Sequence, residues 1–474
     1  MHELCRLTAT EAVARLKRRE ITPFDLIEAA AARIAEVEPH VNALPTLCLD
    51  RARDHATRLE PYDGPGALHG LPVSIKDLTD VAGVRTTYGS PIFRDHVPAR
   101  SHPLVERIER RGGIVVAKSN TPEFGAGGNT FNEVFGRTLN PWNTALTCGG
   151  STGGGAVSVA TGEVWLAHGS DHGGSLRRPA TYNSVVGLRP SPGRVTRGTV
   201  ANLFSPLSVQ GPMARTVPDL ALFLDTMTGL CPHDPLTIEA PSERFVSALS
   251  RPPGKLRIAW TPDFGGQIPV DRETRDLTEQ AVRLFEAAGC HVEKFSPDLG
   301  AISEAFLALR SQQFVVDREP MLQTHRDQLK PDIVWNTERG LNQTTSHLAW
   351  AERERAAFYR RVAAMFETFD VFVLPGSATP AFDVALRFPR FVDGVAQETY
   401  IAASLITSCI TMTSCPAVAV PFGLDQFGRP VGLQIVAPPR QDALALRAAA
   451  LFESLAAAPD LPIDPRPGAV PLSG

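Results

Sequence analysis

Glycine, serine and threonine crowd one stretch of the chain, "CGGSTGGGAVSVATGEVWLAHGSDHGGSLRRP" from Cys148 to Pro179, more densely than any other. Glycine held still costs conformational entropy, so such a cluster implies close backbone approach or unusual dihedrals. A phosphate cradle needs GxxxxGK[ST], and no lysine occurs between Ser151 and Pro179. A dinucleotide fingerprint should follow a strand, whereas "NPWNTALTCGG" before the stretch reads as loop. A flexible linker fits poorly too, because "AVSVATGEVWLA" is apolar enough to be buried. What remains is a site where backbone amides converge on a reacting group. In "GSDHGGS" the N–H groups of Gly173 and Gly174 can turn toward the oxygen of a tetrahedral intermediate beside the Ser175 hydroxyl. Ser175 is the candidate nucleophile.

A serine hydroxyl needs a base. Asp171 and His172 invite a Ser-His-Asp reading, but the short loop from His172 to Ser175 makes that geometry hard to close, and His172 reads better as a side chain at the site rim. Lys76, in "LHGLPVSIKD", ends an apolar strand where an ammonium would be poorly solvated. Desolvation lowers a lysine pKa. A base working near pH 7 needs a drop of roughly two to three pH units, which costs about 3 to 4 kcal/mol.

The elements that must position these groups alternate between helix and strand. "TATEAVARLKRRE" opens with Thr8 and Glu11 at capping-box spacing, and "TPFDLIEAAAARIAEVEP" opens with Thr22 and Pro23. "LPVSIKD" as strand, Ser101 to Arg111 as helix stopped by glycines, and "GIVVAKSN" as strand form a βαβ unit. Later come "LRIAW" as strand, "RDLTEQAVRLFEAAG" as helix and "HVEKF" as strand. A long helix over about Thr345 to Phe369 leads into the strand "DVFVLP". The strands "AVAVP" and "GLQIVA" precede a helix from about Gln441. The expected class is α/β: a mixed, twisted central sheet covered by helices on both faces. "LCPHDPLTIEAPSERF" is the best linker, and one large domain over residues 1–474 or two lobes remain open from these residues alone.

Composition bounds the partners. The 474 residues are 43% hydrophobic and 21% charged, which describes globular material, and a net charge of -4 gives no basic footprint for nucleic acid. Seven cysteines, at 5, 48, 148, 231, 290, 409 and 415, are odd in number and form no CxxC pair, so disulfide staples and zinc sites are both poor readings. "MHELCRLTATEAVARLKRRE" lacks the apolar centre of a signal peptide, and no uncharged apolar run reaches membrane-spanning length. The expectation is a cytoplasmic protein without membrane or nucleic-acid partners.

Taken in order, "LPVSIKD", "CGGSTGGG", "GSDHGGSLRRPA" and "VVGLRPSPGRV" resemble the amidase signature family of serine hydrolases, and the likeness runs from the paired N-terminal helices to "PVGLQIVAPP". The resemblance implies a Ser-cisSer-Lys triad of Ser175 as nucleophile, Ser151 as proton relay and Lys76 as base. The peptide from Gly150 to Ser151 would be cis. It implies a catalytic core over about residues 65–215, with residues 250–474 completing sheet and pocket. Backbone amides of His172, Gly173, Gly174 and Ser175 would serve the oxyanion, with no metal or organic cofactor. Asp171 and Arg177 match positions near the nucleophile and are read as support of loop shape. Thr152 replaces the family's common serine but keeps a hydroxyl. Gly125, Ala126, Gly127 and Gly128, in "EFGAGGNTFNEVFG", match the acyl-side pocket, where their small size would leave room for a broad or aromatic group. "RGTVANLFSPLSVQGPM" and "FPRFVDGVAQETYIAASLITS" would supply other walls, with Phe204, Phe388 and Phe391 as apolar contacts. The implied activity is hydrolysis of small-molecule amides, with carbamates or esters as further substrates, by a monomer or homodimer. The alternatives are the glutamine-hydrolysing component of a tRNA-dependent amidotransferase and a non-catalytic scaffold.

Overall fold

Helices start where the sequence supplies caps. Thr8 accepts from the Glu11 N–H while the Glu11 carboxylate accepts from the Thr8 N–H, opening Ala9–Lys17. Thr22 and Asp25 repeat the device at Pro23–Val41, which ends on Asn42 in the left-handed region. The computed structural model describes residues 1–198 and 200–470.

The main sheet has eleven strands: β1 (Thr46–Leu47), β2 (Leu71–Lys76), β3 (Gly113–Ser119), β4 (Leu166–Asp171), β5 (Val186–Arg189), β6 (Val209–Ala214), β7 (Arg257–Trp260), β8 (His291–Lys294), β9 (Val371–Pro375), β10 (Ala417–Leu424) and β11 (Pro430–Val436). Their order is β1-β3-β2-β4-β6-β5-β10-β11-β9-β7-β8. β3, β2 and β4 run parallel at one end, as do β9, β7 and β8 at the other. The centre, from β4 through β6, β5, β10 and β11 to β9, is antiparallel. The sheet is mixed, as expected.

β2 and β3 are buried along their whole length, which explains their near-continuous apolar runs. Side chains still alternate between faces. Val115 packs on one side with Val73, Ile75 and Leu166, whereas Ile114 and Val116 meet Ala156, Val157 and Ala160 of the helix Gly153–Ala160 on the other. That helix explains part of the glycine cluster. A Cβ on Gly154 would stand 2.4 Å from the Asn120 nitrogen and 2.5 Å from the Ala43 carbonyl oxygen, so helix and neighbouring backbone touch only because the side chain is missing.

Some elements were not expected. "NPWNTALT" is a two-stranded ribbon (Leu139–Asn140 with Asn143–Thr147), not a loop. Asn140 closes it by donating to the Thr147 and Tyr182 carbonyls. The antiparallel strand β6 and the helices Ile302–His325 and Pro331–Leu341 also lay outside the sequence reading. Among the described residues no helix is long and apolar enough to cross a membrane.

Candidate active site

β2 delivers Lys76 to the interior with no solvent exposure. Its Nζ lies 2.8 Å from Ser151 Oγ, 2.9 Å from Thr152 Oγ1 and 3.1 Å from Ser170 Oγ. Burial pushes its pKa down from 10.5 to about 7, and the Asp171 carboxylate opposes that shift only in part. A neutral amine has two N–H donors and one lone pair. Thr152 Oγ1 donates its own proton to the Ser170 carbonyl at 3.3 Å and therefore accepts from Nζ. If Ser170 accepts the second N–H, the lone pair is left facing the Ser151 hydroxyl.

The Gly150–Ser151 peptide is cis, and Ser151 opens into a cavity of about 460 Å³ that Ser175 and Ser170 also line. Ser175 follows the loop between β4 and the helix Arg177–Asn183, and its N-terminal side is shaped by Asp171. The buried Asp171 carboxylate accepts from the backbone N–H of Gly174 at 3.0 Å and of Leu176 at 3.1 Å. It also accepts from Arg177 Nε at 3.1 Å and Arg189 Nη1 at 3.2 Å. Burial works against its charge, but the two guanidiniums and these hydrogen bonds hold the carboxyl well below its ordinary range. Arg177 reaches onward to the Thr407 carbonyl and Gln434 Oε1, both at 2.8 Å, which ties the loop to β11.

Several expected contacts fall elsewhere. The Gly174 N–H, expected to serve an oxyanion, instead donates to the Asp171 carboxylate at 3.0 Å. The His172 ring lines the cavity, bonded to Ser208 Oγ at 2.7 Å, and burial with Arg310 nearby drives its pKa well below the ordinary value, so it stays neutral. Gly125 and Gly127 do line the cavity, and a Cβ on Gly125 would come within 3.4 Å of Ser151 Oγ. Ala126 instead packs behind the wall on Leu329 and Ile333, and Thr152 serves Lys76 rather than the cavity. Behind Gly128 stands Arg178, whose Nη1 lies 2.8 Å from where a Cβ would be. These glycines therefore make room for protein groups as well as for a ligand. Phe204 is 73% exposed and off the wall, in a loop whose Asn202 and Ser205 carbonyls accept from Arg197. Phe391 is also exposed, and Phe388 packs into the core beside the helix Ile302–His325.

The residues missed from the sequence are mainly cationic. Arg178, Arg197, Arg310 and Arg318 line the cavity with Tyr400, against the single carboxylate of Asp317. Four of the lining residues were readable as one stripe: Phe306, Arg310, Gln313 and Asp317 recur at helical spacing along Ile302–His325. Among the described residues no group of three or more His, Cys, Asp or Glu side chains could hold a metal.

The amidase family profile matches residues 25–446. The chain belongs to the amidase family. It is 34% identical over 460 residues to an acylamidase of Rhodococcus erythropolis, covering 95% of each chain. It is 31% identical to one of the subunits of the glutamyl-tRNA(Gln) amidotransferase of Shouchella clausii, covering 92% of this chain and 95% of the relative. A crystal structure of a bacterial aryl acylamidase of the amidase signature family superposes with a TM-score of 0.89 at 27% identity, over 95% of this chain and 96% of that one. The protein is an amidase signature hydrolase that acts on carbon–nitrogen bonds of amides.

Proposed function

We propose that this amidase cleaves small-molecule amides through an acyl-enzyme, with Ser175 as nucleophile, Ser151 as relay and Lys76 as base. The observation that carries the reading is the buried Lys76 Nζ at 2.8 Å from Ser151 Oγ, with a pKa of about 7. The Lys76 lone pair takes the Ser151 proton as Ser151 Oγ takes that of Ser175. Ser175 Oγ bonds to the carbonyl carbon, and the displaced electron pair rests on oxygen, facing the N–H groups of His172, Gly173 and Ser175. Collapse breaks the C–N bond while the proton held on Lys76 returns through Ser151 to the departing nitrogen. Water then loses a proton to the same relay, attacks the ester carbon, and releases the acid as Ser175 regains its hydrogen. Asp171 and Arg177 hold the loop and touch no reacting atom. Esters share the acyl-transfer step and differ in the group that leaves, and carbamates differ also in the carbamoyl or carbonate group left on Ser175.

Intact mass after exposure to a fluorophosphonate tests this directly. Phosphonylation of one serine, with loss of fluoride, is expected on the wild type and absent on Ser175→Ala. A folded wild type that stays unlabelled sinks the mechanism. The similarity to an amidotransferase component supports a second reading, in which the site works inside a complex. Hydrolysis of simple amides by the purified chain alone would decide against it.

A further inference from the structure

The peptide between Gly173 and Gly174 is held at both ends by groups that lie outside the cavity wall. Its N–H donates to the Asp171 carboxylate at 3.0 Å, and its carbonyl accepts from Thr407 Oγ1 at 2.7 Å. Asp171 and Thr407 are both buried. Thr407 belongs to the helix Leu405–Met412, 234 residues beyond Gly173. Its own carbonyl accepts from Arg177 Nη1 at 2.8 Å, and Arg177 donates in turn to Asp171, from Nε at 3.1 Å and Nη2 at 3.0 Å. The hydrogen bonds close a ring that runs from Asp171 through the loop peptide to Thr407 and back through Arg177.

The second glycine makes the contact with Thr407 possible. Gly174 has a φ of +112°, which L side chains rarely adopt, and a Cβ there would stand 2.3 Å from Thr407 Oγ1. Two adjacent glycines also let the peptide between them rotate at little steric cost. Such a rotation changes ψ of Gly173 and φ of Gly174, and so re-aims the Gly173 and Ser175 N–H groups on either side. One hydrogen bond would leave a pivot; two, at opposite ends of the peptide, fix its orientation. The Thr407 hydroxyl has one proton and two carbonyls in reach, that of Gly173 at 2.7 Å and that of Ser404 at 2.9 Å. A threonine in a helix ordinarily bonds back along its own segment. Here the loop carbonyl is the nearer acceptor.

We propose that Thr407 is a positioning residue for the reaction: its hydroxyl fixes the carbonyl end of the Gly173–Gly174 peptide and thereby aims the Gly173 and Ser175 N–H groups at the oxygen of the tetrahedral intermediate. The proposal rests on the mechanism above, which supplies that oxygen. Asp171 and Arg177 carry buried charges whose removal would unsettle the whole loop. Thr407 is the uncharged side chain of the ring, and Thr407→Val removes the hydroxyl while keeping nearly the same shape.

The test is the rate at which a fluorophosphonate, whose phosphoryl oxygen takes the place of the oxyanion, labels the full-length wild type, Thr407→Val and Thr407→Ser from about pH 5 to about pH 9. Removing an oxyanion donor outright costs a factor of about 100 to 1,000, and misaiming donors that remain should cost at least about tenfold. Thr407→Val is therefore expected to label at least about tenfold more slowly and Thr407→Ser at close to the wild-type rate. Both should keep the acid limb of the wild type, because Lys76 is untouched. Thr407→Ala takes the place of Thr407→Val if thermal melting shows the latter to be unfolded. A smaller loss on removing the hydroxyl overturns the proposal. So does an equal loss in Thr407→Ser, which would trace the effect to the missing methyl group, and so does a displaced acid limb, which would trace it to Lys76. A wild type that is never labelled refutes the mechanism and this inference with it, whereas a labelled wild type matched by Thr407→Val refutes the inference alone.

Discussion

On the proposed mechanism the acid limb of Ser175 reactivity follows one buried amine, and Thr152 is the place to perturb it. Lys76 must be neutral to accept a proton, and its pKa is about 7, so reactivity is present above that value and lost as pH falls through it. At pH 5 only about one lysine in a hundred is neutral, so phosphonylation by a fluorophosphonate should run about 100-fold below its plateau. This reagent is chosen because fluoride leaves without a proton from the relay. Thr152→Val removes one of the three oxygens around Nζ. Those oxygens favour the ammonium, which can donate to all three, over the amine, which can donate to two. Losing one hydrogen bond to a charged group, about 1.5 kcal/mol, moves the limb about one pH unit toward acid. The plateau should fall at the same time, since the lone pair is no longer aimed at Ser151. Labelling rates from pH 5 to 9 on wild type and variant provide the assay, with intact mass to confirm a single adduct. A limb that is absent, or one that moves toward alkali in Thr152→Val, would refute Lys76 as the base.

Two further outcomes concern the frame around the site. Asp171→Ala leaves the buried Arg177 and Arg189 without their shared carboxylate, which should cost about 3 to 5 kcal/mol and be read as a lower denaturant midpoint together with loss of Ser175 labelling. Undiminished stability would show that the loop does not depend on this pair. Glu163 has no exposure, and burial and then the nearby Glu38 charge raise its pKa well above the ordinary value. A raised folded-state pKa adds stability below the unfolded value, near 4.3, that fades as pH rises through the folded one. Glu163→Gln should therefore flatten the decline of melting temperature on the alkaline side, and an unchanged decline would place its origin elsewhere.

What was legible in the sequence depended on local physics. The caps at Thr8 and Thr22, the uninterrupted apolar runs of β2 and β3, and the position of Lys76 at a strand end are each set by residues within a turn or a strand of one another. The two-stranded ribbon at Leu139–Thr147 was missed because its polar side chains read as loop; what holds it is Asn140 bonding to the Tyr182 carbonyl, 42 residues away. The residue types alone do not separate the neighbouring Arg177 and Arg178, and only the family resemblance marks Arg177 as loop support. Arg177 is absorbed by Asp171, Thr407 and Gln434, whereas Arg178 meets none of them. Only the return of residues 407 and 434 to the loop separates the two.

The helix Ile302–His325 shows the opposite limit, a visible pattern whose usual meaning does not hold. Arg310, Gln313, Asp317 and Arg318 fall on one stripe, and a polar stripe on a helix ordinarily faces water. Here it faces the cavity, while Ile302, Ala305 and Leu309 pack into the core on another side and Phe306 joins the two. A polar stripe is exposed by default because burying charge without a partner costs free energy. It can turn inward where a cavity keeps water, or a charged ligand, against it. The same logic links Lys76 to Arg178. Each is a buried cation whose charge the fold leaves poorly balanced: at Lys76 the consequence is a proton that comes off near pH 7, whereas Arg178 keeps its charge near neutral pH with its Nε lacking a hydrogen-bond partner.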